Sequence, residues 1–204
     1  MKPVERLKPA AVLVALLAAA LLLSGCPAVP VKMPEVEPWD IRRAQLQARE
    51  RFELSARVAV AAGNDGFNAR LRWEQDGQRS NVALDGPLGV GGVRVAAEGA
   101  SLSITTSRGE QLDADAARAE LIARLGFEPP LGSLRYWVLG VPDPAQPATE
   151  EVLDPQQRLV SLQQDGWRIE YGGYKAVGGE WLPEKITFRR DEVRVRMIVD
   201  RWSS

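Results

Sequence analysis

The stretch ELSARVAVAAGNDGFNARLRWEQDGQRSNVAL, residues 53–84, decides the fold. In its first part Leu54, Ala56, Val58 and Val60 fall on one parity. After the turn, Phe67, Ala69, Leu71 and Trp73 do the same, while Asn68, Arg70, Arg72 and Glu74 take the other side. A period of two is the mark of a strand with one face buried and one in water. The connecting Gly63-Asn64-Asp65-Gly66 and Gln75-Asp76-Gly77-Gln78 are hairpin signals. Turns this short join antiparallel neighbours, because a parallel pair needs a long crossover. The stretch therefore opens an antiparallel meander.

Downstream, VRVAAEG (93–99), SLSITTS (101–107) and QLDA (111–114) continue it, giving about six strands before the pattern changes. Two helical pieces follow. DAARAELIARLG (115–126) has Asp115 as N-cap, an apolar face of Leu121, Ile122 and Leu125, and Gly126 as a stop. SLRYWVLG (133–140) has Ser133 as N-cap and Leu134, Trp137 and Val138 at helical spacing. A proline-rich loop at 142–147 ends this unit, and strands resume in RLVSLQQ, WRIEYGGY, LPEKITFRR and EVRVRMIVDRW. In the last of these Val193, Val195, Met197 and Val199 alternate, but Ile198 and Trp202 have the wrong parity, so its far end is bulged or buried on both faces. Upstream, WDIRRAQLQARERF (39–52) reads as a helix with Asp40 as N-cap. Its apolar stripe is Ile41, Ala44, Ala48 and Phe52, with Arg42, Arg43 and Arg49 facing elsewhere. The expected fold is mainly β with inserted helices: one antiparallel sheet of ten or eleven strands, large enough to curl. Helices cover its concave face, and the alternation leaves open whether they enclose a solid core or a cavity.

Composition narrows the function. The chain has 204 residues, 26 Lys and Arg against 27 Asp and Glu, and no histidine. Near-balanced charge argues against a nucleic-acid partner, and the lack of histidine removes every histidine-based metal set or catalytic triad. The carboxylates Asp113 with Asp115 and Glu150 with Glu151 could serve a glycosidase, but carboxylates so close in sequence carry little signal.

The N-terminus carries its own message. Lys2, Arg6 and Lys8 precede an apolar run from Ala10 to Leu23, shorter than the roughly 20 residues of a membrane span. Leu23-Ser24-Gly25-Cys26 follows, and Cys26 is the single cysteine. This arrangement resembles a bacterial lipobox; the alternative is an ordinary secretion signal with a free cysteine. The Cys26 thiol would take an S-diacylglycerol group, and cleavage between Gly25 and Cys26 would then free an amine for an N-acyl chain, these being the only covalent groups expected and no other cofactor. Three acyl chains anchor a protein durably. Pro27, rather than aspartate, follows Cys26, as expected for an outer-membrane destination. The expected organisation is a removed signal at 1–25, a lipidated cysteine and proline-rich tether at 26–38, and a single domain at 39–204.

The ordered set RLRWEQDG (70–77), DGPLG (85–89), RLGFEPPLGSLRYWVLGVP (124–142), DGWRIEYGGY (165–174), LPEKITF (182–188) and a basic strand ending at Trp202 resembles the LolB family of outer-membrane lipoproteins. The resemblance implies an incomplete β-barrel closed by helices around an apolar cavity. It also implies an outer-membrane-anchored, non-enzymatic acceptor that takes lipoproteins from the periplasmic carrier LolA and inserts them into the outer membrane. The expected partners are LolA, acylated cargo and membrane lipid, with the chain a monomer. Candidate lining residues are Val58, Val60, Leu71, Trp73, Leu84, Leu121, Leu125, Leu134, Trp137 and Met197, each of which could equally be ordinary core. The competing reading is a non-enzymatic envelope scaffold with a solid β core. Pro87, Leu88 and Gly89 match the family's insertion loop. Read alone, Leu88 could tuck inward. Beside a bilayer it is expected to point outward, followed here by a more flexible Val90-Gly91-Gly92.

Overall fold

The computed structural model describes residues 34–86 and 92–203. Helix α1 (Trp39–Gln47) leads into β1 (Arg51–Ala62), β2 (Asp65–Asp76), β3 (Arg79–Asp85), β4 (Val93–Glu98), β5 (Ser101–Thr106) and β6 (Gln111–Asp113). Two helices, α2 (Ala114–Leu125) and α3 (Leu131–Trp137), separate these from β7 (Ala148–Leu153), β8 (Leu159–Gln164), β9 (Trp167–Val177), β10 (Glu180–Arg190) and β11 (Val193–Ser203). All eleven strands form one antiparallel sheet in the order β6-β5-β4-β3-β2-β1-β11-β10-β9-β8-β7. The two halves of the chain join where β1 pairs β11, Val58 lying opposite Met197. Strands β6 and β7 end the sheet at opposite edges and do not pair, so the sheet stays open. The expected curled, helix-covered antiparallel sheet is the fold observed.

Alternation dictates the inner face. Phe52, Leu54, Ala56, Val58 and Val60 are buried along β1, and Ala69, Leu71 and Trp73 along β2. The parity break in β11 is a bulge: Ser55 faces Arg201 but Ala56 faces Val199, leaving Asp200 as the extra residue. The bulge returns Trp202 to the inner face, opposite Leu54, and leaves Ile198 outside and 37 % exposed. Lys175 Nζ caps the disturbed ladder by donating to the carbonyls of Val199 (2.6 Å) and Asp200 (3.0 Å).

Several local expectations are corrected. The residue before α1 is Pro38, and Asp40 lies in the first turn. Helix α1 buries Arg42 and Leu46, while Ile41 is 46 % exposed and Ala44 and Ala48 are also exposed. Phe52 belongs to β1. Arg42 can be buried because its guanidinium donates to the Trp181 carbonyl and lies 5.8 Å from the centre of the Tyr174 ring. Burial lowers its pKa, an effect partly offset by Tyr174 and Glu180. In α2 the cap position is Asp113, with Asp115 inside the first turn and paired to Arg118. In α3 it is Pro130, and Ser133 sits within the helix. Strand β7 was not anticipated. Its edge position lets Glu150 and Glu151 alternate in water instead of showing an apolar period.

Candidate functional site

The inner face carries two apolar clusters. The larger one gathers Leu54, Val58, Leu71, Trp73, Met197 and Val199 with residues of β8–β10, and α3 plugs it. Trp137, Val138, Leu139 and Val141 are essentially inaccessible to solvent. The Trp137 ring lies 6.3 Å from Trp167 and 6.4 Å from Phe188, within the range of favourable tilted contacts.

A polar hub fastens this plug. Gln164 is 1 % exposed. Its side-chain oxygen accepts from Trp137 Nε1 (2.7 Å) and the Asp143 N–H (2.9 Å). Its amide donates to the carbonyls of Asp143 (2.9 Å) and Gln146 (2.7 Å). Tyr171 donates to the Trp137 carbonyl at 2.9 Å, and burial, with Tyr174 adjacent, pushes its pKa well above the ordinary tyrosine value. Ser133 Oγ donates to Asp143 Oδ2 at 2.7 Å. A buried amide with both its acceptor and its donors satisfied stabilises one packing arrangement rather than several. No sequence period flags a lone glutamine, so this hub was not legible beforehand.

The smaller cluster is Val93, Val95, Ile104, Ala117 and Leu121, formed where α2 lies on β4–β6. Val82 and Leu84 pack against both clusters. At one end of the seam between them a cleft of about 740 Å3 opens. Val60, Phe67 and Val193 line it from the sheet and Leu125 from the end of α2, with Asp65, Arg124, Asp191 and Glu192 also on its walls. Gly126 makes this end possible. Its φ is +78°, and a Cβ there would lie 2.8 Å from Ala62 Cβ. Helix α2 can turn away against β1 only because position 126 has no side chain.

The candidate lining residues divide accordingly. Val58, Leu71, Trp73, Trp137 and Met197 are buried in the larger cluster, with Leu84 and Leu134 partly buried against it. Leu121 belongs to the smaller cluster and Leu125 packs on it. Of the ten, Val60 and Leu125 line the cleft, together with Phe67 and Val193, which the sequence reading had placed on the inner parity without assigning them to a site. Gly25 and Cys26, and Pro87, Leu88 and Gly89, lie outside the described residues. Asp115 is fully exposed and paired to Arg118. Glu150 pairs with Arg168 at 3.4 Å, and Glu151 accepts from Trp39 Nε1 at 3.0 Å. Neighbours in a strand, these two glutamates point to opposite faces.

Residues 50–202 match the family model described as outer membrane lipoprotein LolB. The outer-membrane lipoprotein LolB of Nitrosococcus oceani is 34 % identical over 190 residues, covering 92 % of this chain and 94 % of that relative. The LolB of Halorhodospira halophila is 33 % identical over 198 residues, covering 94 % of each. That of Pseudomonas aeruginosa is 30 % identical over 189 residues, covering 90 % of this chain and 92 % of the relative. Among solved structures, a LolA superfamily protein from Nitrosomonas europaea superimposes with a TM-score of 0.53 at 9 % identity, over 82 % of this chain and 93 % of that one. At that identity the likeness is one of fold.

Proposed function

Since the chain belongs to the LolB family of outer-membrane lipoproteins, we propose that it is an outer-membrane-anchored acceptor. It receives acylated lipoproteins from a LolA-type carrier, holds their acyl chains against the apolar inner face and releases them into the outer membrane. The observation that supports a container for acyl chains is the cleft at the seam of the two clusters, with Val60, Phe67, Leu125 and Val193 on its walls. Each methylene left in water costs about 0.8 kcal/mol, so the cargo needs apolar cover throughout its passage. With no nucleotide consumed, every hand-over must run downhill, from carrier to acceptor to bilayer. The chain does this by binding and release, and no covalent step is required of it. Lipidation at Cys26 would keep the acceptor at the membrane and raise its effective concentration there. Leu88, between β3 and β4 in sequence, would enter the bilayer, where full burial of a leucine gains roughly 1.5–3 kcal/mol.

The test is reconstitution. A LolA-type carrier loaded with a triacylated lipoprotein is mixed with the lipidated chain in vesicles, without nucleotide. Cargo is expected to move to the chain and then into the bilayer. Cargo that stays on the carrier refutes the reading. In the same assay Leu88→Glu is expected to accept cargo and fail to insert it; normal insertion would remove Leu88 from that role.

A further inference from the structure

The outer face of the central strands carries a second concave surface, of about 850 Å3, which the acceptor reading does not use. Arg57, Arg70, Arg72 and Arg196 surround it, with Asp85 and Ile198. Two of the arginines are neutralised within the fold. Arg57 makes a forked contact with Asp200 at 2.9–3.2 Å, and Arg72 pairs with Asp85 at 2.8 Å. Arg70 and Arg196 form no ion pair among the described residues, so two guanidinium groups at the cleft remain available to an outside anion.

The register brings the arginines together. Arg57 stands directly opposite Arg70 across β1 and β2, Arg70 stands opposite Asp85 across β2 and β3, and one outward row further along Arg196 faces Ala59. Like charges in register on neighbouring strands are destabilising. At the other end of the same strands Glu53 faces Glu74, and Asp76 is paired with Arg51.

We propose that this cleft docks the anionic headgroups of a phospholipid bilayer. Guanidinium forks match phosphate oxygens in shape and charge. The side chains of Arg57 and Arg72 are 62 % and 64 % exposed, which suits contact with a broad surface rather than enclosure of a small anion. The exposed Ile198 adds an apolar contact at the rim. The proposal rests on the reading of the chain as membrane-anchored, which makes the bilayer the anionic surface at highest local concentration.

The experiment uses the chain from residue 26 with Cys26→Ser, so that no acyl anchor contributes; every described element lies within this length. Co-sedimentation is measured with vesicles of phosphatidylcholine alone and of equal parts phosphatidylcholine and phosphatidylglycerol, at low and high salt. Binding to the anionic vesicles is expected, weakening with salt. Arg70→Ala with Arg196→Ala is expected to reduce it about 30-fold, the effect of two charges near an anionic surface. A charge-matched pair elsewhere, Arg108→Ala with Arg118→Ala, should reduce it far less. Urea midpoints and circular dichroism establish that both doubles are folded. Equal losses in the two doubles, or no preference for anionic vesicles, would overturn the proposal. So would displacement by millimolar glycerol phosphate, which indicates a soluble ligand. Cargo and carrier are absent from the vesicle measurement, so its failure leaves the acceptor reading to its own test.

Discussion

Gln164→Leu is the substitution that most directly tests how the lid is fastened. Leucine has nearly the volume of glutamine, so it removes four hydrogen bonds while leaving little cavity. Two buried donors, Trp137 Nε1 and the Asp143 N–H, lose their acceptor. Two carbonyls, of Asp143 and Gln146, lose their donor. A buried donor left without a partner costs about 1–3 kcal/mol, and carbonyls cost less because of their second lone pair. Set against a modest gain from burying leucine, the net destabilisation is about 3 kcal/mol. At roughly 2–4 °C per kcal/mol for a domain of this size, the melting temperature should fall by about 6–12 °C. In urea the midpoint should fall at unchanged slope. Trp137→Phe removes one donor while keeping most of the ring, so in a double-mutant cycle the two changes should couple by about 1 kcal/mol or more. A change below about 0.5 kcal/mol for Gln164→Leu, or strict additivity with Trp137→Phe, would refute the hub as the fastening of α3.

Gly126→Ala should cost about 1–3 kcal/mol in urea denaturation, combining the left-handed backbone with the 2.8 Å approach to Ala62. Ala62→Gly in the same chain should recover the steric part. Burial pushes the Asp154 pKa up, but Arg158 and the backbone N–H groups of Arg158 and Gln156 outweigh it and hold it below the ordinary carboxylate value. Its contribution is therefore complete above about pH 4 and disappears as pH falls through the lower folded value. Asp154→Asn should be less stable than the parent at neutral pH, and the gap in urea midpoint should close in acid. Native-state hydrogen exchange should show α2 opening about 100-fold more often than α3.

Where one face of a strand is wet and the other dry, the sequence carries the fold plainly: β1 and β2 can be read from Leu54 to Trp73 by parity alone. Legibility fails where a charged group is buried or an apolar one is not needed. Arg42 reverses the face of α1 because its guanidinium finds the Trp181 carbonyl and the Tyr174 ring, partners 139 and 132 positions away, respectively, in sequence. Strand β7 is silent because an edge strand buries little, and its glutamates find Arg168 and Arg43 instead. The site was legible only in part. Parity puts Val60 and Leu71 on the same inner face, but only the tertiary fold puts Val60 at the cleft and Leu71 in packed core. Gln164, which organises the lid, looks in sequence like any other glutamine near a strand end.

The two clusters are held with unequal strength, and that inequality is what an acceptor requires. The segment from α3 to Val141 buries four apolar side chains almost completely and is tied by Gln164, Tyr171 and Ser133. Helix α2 fully buries only Ala117 and Leu121, and Ile122 on the same helix is 39 % exposed. Arg118 pairs with Asp115 and Glu128 and Arg124 with Glu120, residues on the helix or just beyond it. Exposed pairs of this kind contribute at most about 1 kcal/mol. Burial of Leu121, at roughly 1.5–3 kcal/mol, joins Ala117 and the partly buried Leu125 in the apolar hold of α2 on the sheet. A few methylenes of an incoming acyl chain, at about 0.8 kcal/mol each, match that hold. An acyl chain entering at the seam by displacing α2 about Gly126 would leave the packing around Trp137 intact. A container closed equally firmly on both sides would bind cargo only by unfolding.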